Sequence, residues 1–340
     1  MGDNRLSVLI NQNSKPMPIT CGVPQGSVLG PLLFLCYVND MPISVDCKLL
    51  LYADDSALLI DGKDPKEISS KLSKELESCQ QWLIDNKLSL HLGKTEAILF
   101  GSHRKLKNRC EFTVMCNNEP IQSTQSVKYL GITLDQCLSG ESIANNVIKK
   151  AGARLNFLYR QALFLDPKTR KTLVSALIQC YFDYSCSSWF SGLSKKLQNK
   201  LQVMQNKIVR FILGLDSRTH VGQAELDRLE FLDTDDRVKQ LKLNHAFKIF
   251  NNMSPDYLSE HFVKTSERHR YNTRDSHLNF VVPKFHGHIG STTFQYTTVK
   301  AWNCLPSNIK SINSYANFKK EVKAHLAIKA RSREGGNSRT

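Results

Sequence analysis

The sequence predicts an α+β fold in which a mixed N-terminal part of about 140 residues precedes a mainly helical C-terminal part. Short apolar runs separated by turn residues fill the first part, whereas apolar residues at helical spacing dominate the second. The chain has 340 residues, of which 41% are hydrophobic and 23% charged, so a fibrous or wholly disordered protein is excluded. This length suggests about two domains.

The first 100 residues contain the clearest local signals. A hairpin is predicted over 5–20, then a loop rich in Gly and Pro, then an apolar helix over 31–38. Cys47–Tyr52 is predicted to be a buried strand that pairs with Ser56–Ile60 through a tight turn. Apolar residues recur at a spacing of three or four over 65–86, which predicts an amphipathic helix. Further predicted strands are 95–100, 111–115 and 127–134.

Beyond residue 140 the pattern becomes helical. The predicted helices are 143–164, 168–182, 194–213, 223–231, 235–252 and 315–329, with Lys and Arg on their outer faces. The predicted domains are therefore 1–140, a basic helical domain at 141–252, a less regular region at 253–330 and a disordered tail at 331–340. Trp302 and Phe318 stand in apolar-periodic contexts, which favours buried anchors over exposed stacking platforms.

The charge of the chain is unevenly distributed. Residues 141–340 hold 32 of the 46 Lys and Arg but only 16 of the 31 Asp and Glu, a net charge of +16. We therefore expect an anionic partner to meet this half, nucleic acid first and an acidic membrane surface second. For any single run of charged residues, a solvent-exposed helix face is a simpler explanation than a binding surface.

Cysteine spacing and hydropathy limit the possible classes further. The ten cysteines form no CxxC pair and no zinc-finger spacing, which indicates reduced thiols in an intracellular protein. No apolar stretch approaches the roughly 20 residues that a membrane span needs, and no signal peptide is visible. We therefore expect a protein of the cytoplasm or nucleus that is not secreted and has no membrane partner.

Asp54 and Asp55 are the first candidate site because they stand between two apolar strands. A rigid hairpin tip with two carboxylates suits Mg²⁺, which takes one or two carboxylates and leaves its other positions to water and phosphate. Asp is also common in turns, so the pair alone does not distinguish a metal site from an ordinary turn. Upstream, Gly22–Phe34 combines a glycine loop, the amide of Gln25 and a helix start, which favours contact with a flat or phosphate-bearing ligand.

Four blocks in order carry a resemblance to a known family: Gly22–Phe34, Tyr52–Asp55, Asn86–Thr95 and Val127–Leu134. Together they resemble the reverse transcriptases of non-LTR, LINE-type retrotransposons, especially the jockey-like group. Segments near the C-terminus are similar to the same elements, namely Tyr271–Arg274, Ala301–Pro306 and Phe318–Lys320. The resemblance implies a partial palm with its primer-grip hairpin, a helical thumb at 141–252 and a C-terminal region of retrotransposon type.

The resemblance also implies RNA-directed DNA polymerase activity with Mg²⁺, or Mn²⁺, as the cofactor. The partners would be an RNA template, a DNA primer and deoxynucleoside triphosphates. Asp54 would bind metal directly and Asp55 would assist, while Lys94 would lie near the triphosphate unless it is a solvated surface lysine. The other implied site residues are Gln25, Gly26 and Tyr52 at the template and nucleotide, and Tyr129, Leu130 and Gly131 at the primer end.

The family's palm also carries an aspartate on a strand before the glycine loop, and no residue among the 21 that precede Gly22 matches it. We therefore expect a catalytically impaired polymerase that resembles the C-terminal part of a longer polyprotein. The alternative is a non-enzymatic protein that binds nucleic acid through its basic helical half. An RNA-templated RNA polymerase would use a palm of the same kind, but the Tyr52–Asp55 and Val127–Leu134 blocks match that class less well.

Overall fold

The computed structural model has two compact units, residues 1–130 and residues 131–340. It describes residues 5–6, 9–10, 12–13, 17–18, 22–23, 26–107, 112–268, 276–285 and 287–337. The α+β fold class is confirmed, because among the described residues the strands all lie before residue 136, apart from one isolated bridge, and helices dominate after it. The first unit ends ten residues before the boundary predicted at residue 140.

Eleven short strands lie in the described part of the chain. They are β1 (Arg5–Leu6), β2 (Leu9–Ile10), β3 (Gln12–Asn13), β4 (Met17–Pro18), β5 (Lys48–Tyr52), β6 (Asp55–Leu59), β7 (Glu96–Ala97), β8 (Val114–Cys116), β9 (Glu119–Ser123), β10 (Ser126–Tyr129) and β11 (Ile132–Asp135). In the predicted N-terminal hairpin, β1 pairs with β4 and β2 with β3, both antiparallel. The sheet order β7-β9-β8 includes a strand, β9, that was not predicted.

Each of the eight predicted helices has a counterpart in the described residues, although the one predicted over 168–182 is interrupted, and seven further helices were not predicted. The helices are α1 (Gly30–Val38), α2 (Pro65–Asp85), α3 (His103–Lys107), α4 (Glu141–Tyr159), α5 (Pro167–Val174), α6 (Cys180–Asp183), α7 (Cys186–Trp189), α8 (Lys195–Leu213), α9 (Gln223–Arg228), α10 (Thr234–Phe250), α11 (Asp256–Ser259), α12 (Thr265–Arg268), α13 (Gly287–Thr292), α14 (Phe294–Asn303), α15 (Ser307–Lys310) and α16 (Tyr315–Asn337). A π-helical turn, Ser175–Gln179, joins α5 to α6. None of the described helices has the length and apolar character that crossing a bilayer requires.

Helix α2 organises the first unit. Its apolar face contributes Leu76 to one cluster with β8 and β9, and Cys79 to another with residues that precede β5. Asp64 caps the helix by accepting a hydrogen bond from the Lys66 amide, and Pro65 occupies the first turn. The helix thus positions the β5–β6 hairpin, which contacts the same clusters through Leu58.

Helix α1 buries little of its apolar surface. Only Gly30 and Val38 are buried, whereas Leu32, Leu33 and Leu35 are each more than half exposed. Large exposed apolar patches are uncommon on a monomeric protein. Helix α1 therefore presents an exposed apolar surface in this structure.

One hydrophobic cluster of the second unit crosses the predicted boundary at residue 252. Phe247 of α10 packs against Phe318 of α16 at a ring separation of 4.4 Å, and Trp302 of α14 lies in the same cluster. Trp302 and Phe318 are both fully buried, which confirms their prediction as anchors. The regions 141–252 and 253–330 therefore lie in one compact unit. Helical periodicity predicted which face of each helix is apolar, but it did not predict which helices pack against each other.

Helix α16 extends to Asn337, eight residues beyond its predicted end, so most of the predicted disordered tail is helical. Arg331 donates to Asp227 at 2.7 Å, and Arg333 contacts both carboxylate oxygens of the buried Asp236 at 3.1 Å. These long-range ion pairs hold a segment whose composition alone favours disorder.

One buried cation makes the second unit sensitive to pH. Lys242 is 3% exposed and donates to the hydroxyls of Ser191 (2.5 Å) and Thr297 (2.7 Å). Burial lowers the pKa of Lys242 from 10.5 to about 8. Below pH 8 this lysine is charged in both states, and between pH 8 and 10.5 only the unfolded state keeps the proton. Titration of Lys242 alone therefore adds about 3 kcal/mol to the free energy of unfolding across this window.

The variant Lys242→Met should lose this rise. We expect its free energy of unfolding, measured in urea at several pH values, to change about 3 kcal/mol less than the wild type between pH 8 and 10.5. Lys300→Met, at an exposed position of α14, is the matched control and should keep the wild-type slope. Parallel pH profiles for Lys242→Met and the wild type would contradict this assignment.

Candidate active site

The two predicted carboxylates lie at the end of the β5–β6 hairpin. The strands pair antiparallel from Lys48 opposite Leu59 to Tyr52 opposite Asp55. The two-residue turn is Ala53-Asp54, so Asp54 is at the tip and Asp55 already belongs to strand β6. Residues directly opposite each other share a face of the sheet, so Asp55 lies on the same face as Tyr52.

The turn is strained in a way that the sequence did not reveal. Ala53 has a φ of 53°, in the left-handed region that residues with a Cβ seldom adopt. A two-residue hairpin turn requires a positive φ at its first central position, and glycine usually occupies it. Such strain costs on the order of 1 kcal/mol or more and is concentrated at functional sites.

Among the described residues, apolar side chains pack against one face of the hairpin. Leu49 and Leu51 contact the cluster of Met41, Val45 and Cys79. The opposite face is exposed, with Leu50 at 38% and Tyr52 at 64%. The prediction of a buried strand at Cys47–Tyr52 was therefore wrong: the continuous apolar run suggested burial on both faces, but helix α2 covers one.

Glu75 anchors the approach to the hairpin, and sequence reasoning missed it. This α2 residue is 8% exposed and accepts a hydrogen bond from the Asp46 amide at 2.7 Å. The signal was present, because Glu75 follows Leu72 by three residues on the apolar face. A charged residue at such a position needs a partner.

The carboxylates of Asp54 and Asp55 are available to a ligand. Both residues are exposed, and within the described ranges neither side chain makes a hydrogen bond or an ion pair. Hard oxygen ligands on a supported turn fit Mg²⁺, which keeps several waters and phosphate oxygens in its shell. In the part of the chain that the structure describes, no third His, Cys, Asp or Glu joins them in a metal-binding group.

The glycine loop is only partly described. Gln25 lies outside the described residues, so its predicted contact with the template and nucleotide is not tested. Gly26 is exposed with a φ of 81°, and a Cβ added there would meet nothing within 4 Å. The Ser27 hydroxyl accepts a hydrogen bond from the Gly30 amide at 3.0 Å, where α1 begins. The loop is thus open on the side of Gly26.

Lys94 ends a short 3₁₀ turn, Leu92–Lys94, that leads into β7. Its amide donates to the His91 carbonyl at 2.9 Å, and its side chain is exposed. Among the described residues, no hydrogen bond or ion pair joins Lys94 to Asp54 or Asp55. Its role near a triphosphate stays a prediction.

The predicted primer-grip residues occupy a tight turn. Tyr129 ends β10, and Leu130 and Gly131 have φ values of 46° and 79° before β11 begins. Two consecutive positive φ angles are typical of the turn that joins two antiparallel strands. The segment predicted as one strand over 127–134 is therefore interrupted, in agreement with the predicted hairpin. Its role at a primer end stays a prediction.

Sequence comparison relates the chain to known proteins. Residues 4–134 match the family described as reverse transcriptase (RNA-dependent DNA polymerase). The chain is 29% identical over 211 residues to the RNA-directed DNA polymerase from mobile element jockey of Drosophila melanogaster, covering 58% of this chain and 22% of that protein. The corresponding jockey protein of Drosophila funebris is 26% identical over 237 residues, 66% of this chain and 25% of that protein.

A further relative is the probable RNA-directed DNA polymerase from transposon BS of Drosophila melanogaster. It is 31% identical over 231 residues, which cover 62% of this chain and 24% of that protein. The chain thus spans about a quarter or less of the length of these relatives. The resemblance to non-LTR elements is confirmed by the family match and by these names.

Proposed function

We propose that the chain acts in RNA-directed DNA synthesis, on the premise that residues 4–134 match the reverse transcriptase family and that the chain is similar to the polymerases of non-LTR mobile elements. The observation that carries the proposal is the β5–β6 hairpin, which places Asp54 and Asp55 at an open, supported tip. Divalent metal ions serve this family in general, and an RNA template and nucleotides are its general substrates.

The residues of the hairpin would hold a Mg²⁺ ion and orient it. Asp54, at the tip, would bind Mg²⁺ directly, and Asp55, on the face of Tyr52, would contribute the neighbouring oxygen. Bound Mg²⁺ stabilises the charge that develops on phosphate oxygens. Gly26 and Gln25 would approach the template and nucleotide, Lys94 the triphosphate, and Tyr129–Gly131 the primer end.

We propose further that these 340 residues alone catalyse the reaction slowly. Polymerases clamp the attacking and leaving oxygens between two metal ions, and the described residues bring only two carboxylates together. The loss of one ion removes several kcal/mol of transition-state stabilisation, which corresponds to a rate lower by at least ~10³-fold.

Primer extension tests the proposed activity. The purified chain is incubated with an RNA template, a labelled DNA primer, deoxynucleoside triphosphates and Mg²⁺. We expect slow extension whose product sequence follows the template and which stops when Mg²⁺ is chelated. Extension without template, or no extension at millimolar Mg²⁺ and high protein concentration, would contradict the proposal.

The second candidate function is nucleic-acid binding without catalysis, through the basic helical half. The net charge of +16 in residues 141–340 favours it. It predicts affinity that falls steeply with salt and ignores base sequence. Binding of two RNA oligonucleotides of equal length and unrelated sequence should agree within a factor of about two at every salt concentration. An acidic protein of similar size is the negative control.

A further inference from the structure

Helix α1 carries an exposed apolar surface to which the functions above assign no role. On its covered side Gly30 and Val38 are buried, with Phe34 half-buried between them. The opposite side of the helix, together with the residue directly before it, presents apolar residues at the helical spacing of three and four. We call this surface the α1 stripe, and it consists of Leu29, Leu32, Leu33 and Cys36.

The α1 stripe is accessible along its whole length. Its three leucines are between 53% and 62% exposed, and Cys36 is exposed one helical turn further on. Val28 and Leu35 flank the stripe and are 93% and 51% exposed. A contiguous apolar surface of this kind marks a place where another apolar surface binds.

The composition around the stripe disfavours a charged ligand. Residues 16–39 contain no Asp, Glu, Lys or Arg. RNA, DNA and acidic lipid are held chiefly by Lys and Arg, which this segment does not offer. Residues 1–140 have a net charge of −1, from 14 basic and 15 acidic residues. This part of the chain therefore adds little electrostatic repulsion between two copies.

The area and pattern of the stripe suit a pair of identical helices. Side chains of this size expose roughly 100 Å² each at these fractions, so the stripe and its flanks offer on the order of 600 Å² per copy. A specific interface of standard size takes about 800 Å² from each partner, so the α1 pair lies at the weak end of that range. An apolar stripe also complements itself about a two-fold axis, because its leucines fit the grooves of an identical helix.

We propose that two copies of this chain associate through their α1 helices, with the α1 stripe of one copy packed against that of its partner. Leu32 and Leu33, at the middle of the stripe, would lie nearest the two-fold axis and lose the most exposed surface. The inference is independent of the proposed polymerase and nucleic-acid-binding functions, because the stripe contains none of the site residues assigned to them.

Sedimentation equilibrium of the whole chain tests the proposal. The protein is measured over roughly 1–300 µM after nuclease treatment. The buffer holds about 0.5 M salt, which screens the repulsion between the basic halves and removes bound nucleic acid. We expect a monomer–dimer equilibrium with a dissociation constant of roughly 1–100 µM.

The interface variant carries Leu32→Lys and Leu33→Lys. Because both positions are exposed in the single chain, the variant should fold like the wild type, and circular dichroism checks this. In the pair, the new charges would face like charges in an apolar surface. We therefore expect the dissociation constant to rise by at least ~100-fold, which leaves the variant monomeric over the range measured.

The matched control makes the same chemical change elsewhere. Leu163→Lys and Phe164→Lys lie in the turn Ala162–Phe164 of the second unit, where the two side chains are 95% and 83% exposed. This variant gains the same charge as the interface variant and should keep the wild-type dissociation constant within a factor of about three.

Cys36 provides a readout of position. Helix α1 has nine residues and spans about 13 Å, so the two Cys36 thiols lie within about 15 Å of each other in a parallel or an antiparallel α1 pair. A bis-maleimide of that reach should join two copies. The joined product should be absent from Cys36→Ser and from the interface variant, although both keep the exposed Cys180 and Cys304.

Three results would overturn the proposal. If the wild type stays monomeric over the whole range, a different partner covers the stripe. If the interface variant dimerises with the wild-type dissociation constant, the two copies meet through another surface. If association continues beyond the dimer without saturating, the stripe causes non-specific aggregation and forms no defined pair.

Discussion

Replacement of Asp54 by Asn should abolish most of the metal-dependent activity of the hairpin. Asn keeps the size of the side chain but loses the charge, and Mg²⁺ binds neutral amide oxygens much less strongly than carboxylates. We expect the primer-extension rate to fall by at least ~10³-fold, equivalent to about 4 kcal/mol of transition-state stabilisation. This follows from the position of Asp54 at the exposed tip of the turn.

Asp55→Asn should be the milder change. Asp55 belongs to strand β6 opposite Tyr52, so its oxygen would reach the ion from beside the turn. Loss of an assisting group around a metal costs roughly 10–100-fold in activity or metal affinity. The matched control is Asp61→Asn, at an exposed position beyond the end of β6, and should extend primers like the wild type.

Metal binding supplies a second readout, because the wild-type rate is expected to be low. Water-proton relaxation in a Mn²⁺ titration reports the ion directly. Asp54→Asn should weaken Mn²⁺ binding more than Asp55→Asn, and Asp61→Asn should leave it unchanged. Equal behaviour of all three variants in both measurements would remove the hairpin from the proposed mechanism.

The sequence predicts the hairpin well because its signals are local. Two apolar runs with Asp54-Asp55 between them specify strand, turn and strand, and the observed strands differ from the prediction by one residue. The positive φ of Ala53 could not be predicted, because nothing in its residue type favours the left-handed region. It results from the register of β5 and β6, which leaves only two residues for the turn.

Long-range packing accounts for the other differences. The apolar run before Tyr52 predicted burial, but burial depends on what covers the sheet, and α2 lies against one face. The predicted boundary at residue 252 reflected a change in composition. The core instead joins α10 to α14 and α16. Likewise, the ion pairs of Arg331 and Arg333 with Asp227 and Asp236 span about a hundred residues, a distance at which residue patterns carry no signal.

Trp302→Ala should strongly destabilise the second unit. Trp302 is fully buried and stacks on Phe250 at a ring separation of 5.2 Å. The rings of Phe280 and Phe318 each lie at a separation of 5.8 Å from the Trp302 ring. Truncation leaves a cavity that these rings cannot close, and we expect the free energy of unfolding in urea to fall by about 3–5 kcal/mol.

A second variant distinguishes the contribution of ring packing from that of the indole hydrogen bond. Trp302 Nε1 donates to the Leu278 carbonyl at 2.9 Å. Trp302→Phe keeps most of the ring contacts and loses this bond, so it should cost about 1–3 kcal/mol, less than the truncation. Tyr257→Ala, at a side chain that is 73% exposed, is the control and should change stability by at most about 0.5 kcal/mol.

The same variants distinguish a core anchor from a base-stacking platform. A side chain with no exposed surface cannot stack on a nucleotide, so Trp302→Phe should bind the RNA oligonucleotides with wild-type affinity at every salt concentration. A stacked aromatic contributes about 1–3 kcal/mol per base by alanine substitution, a 5- to 150-fold loss that would be plain in the titration. Loss of RNA affinity by folded Trp302→Phe, with unfolding unchanged, would show that Trp302 leaves the core to meet its ligand.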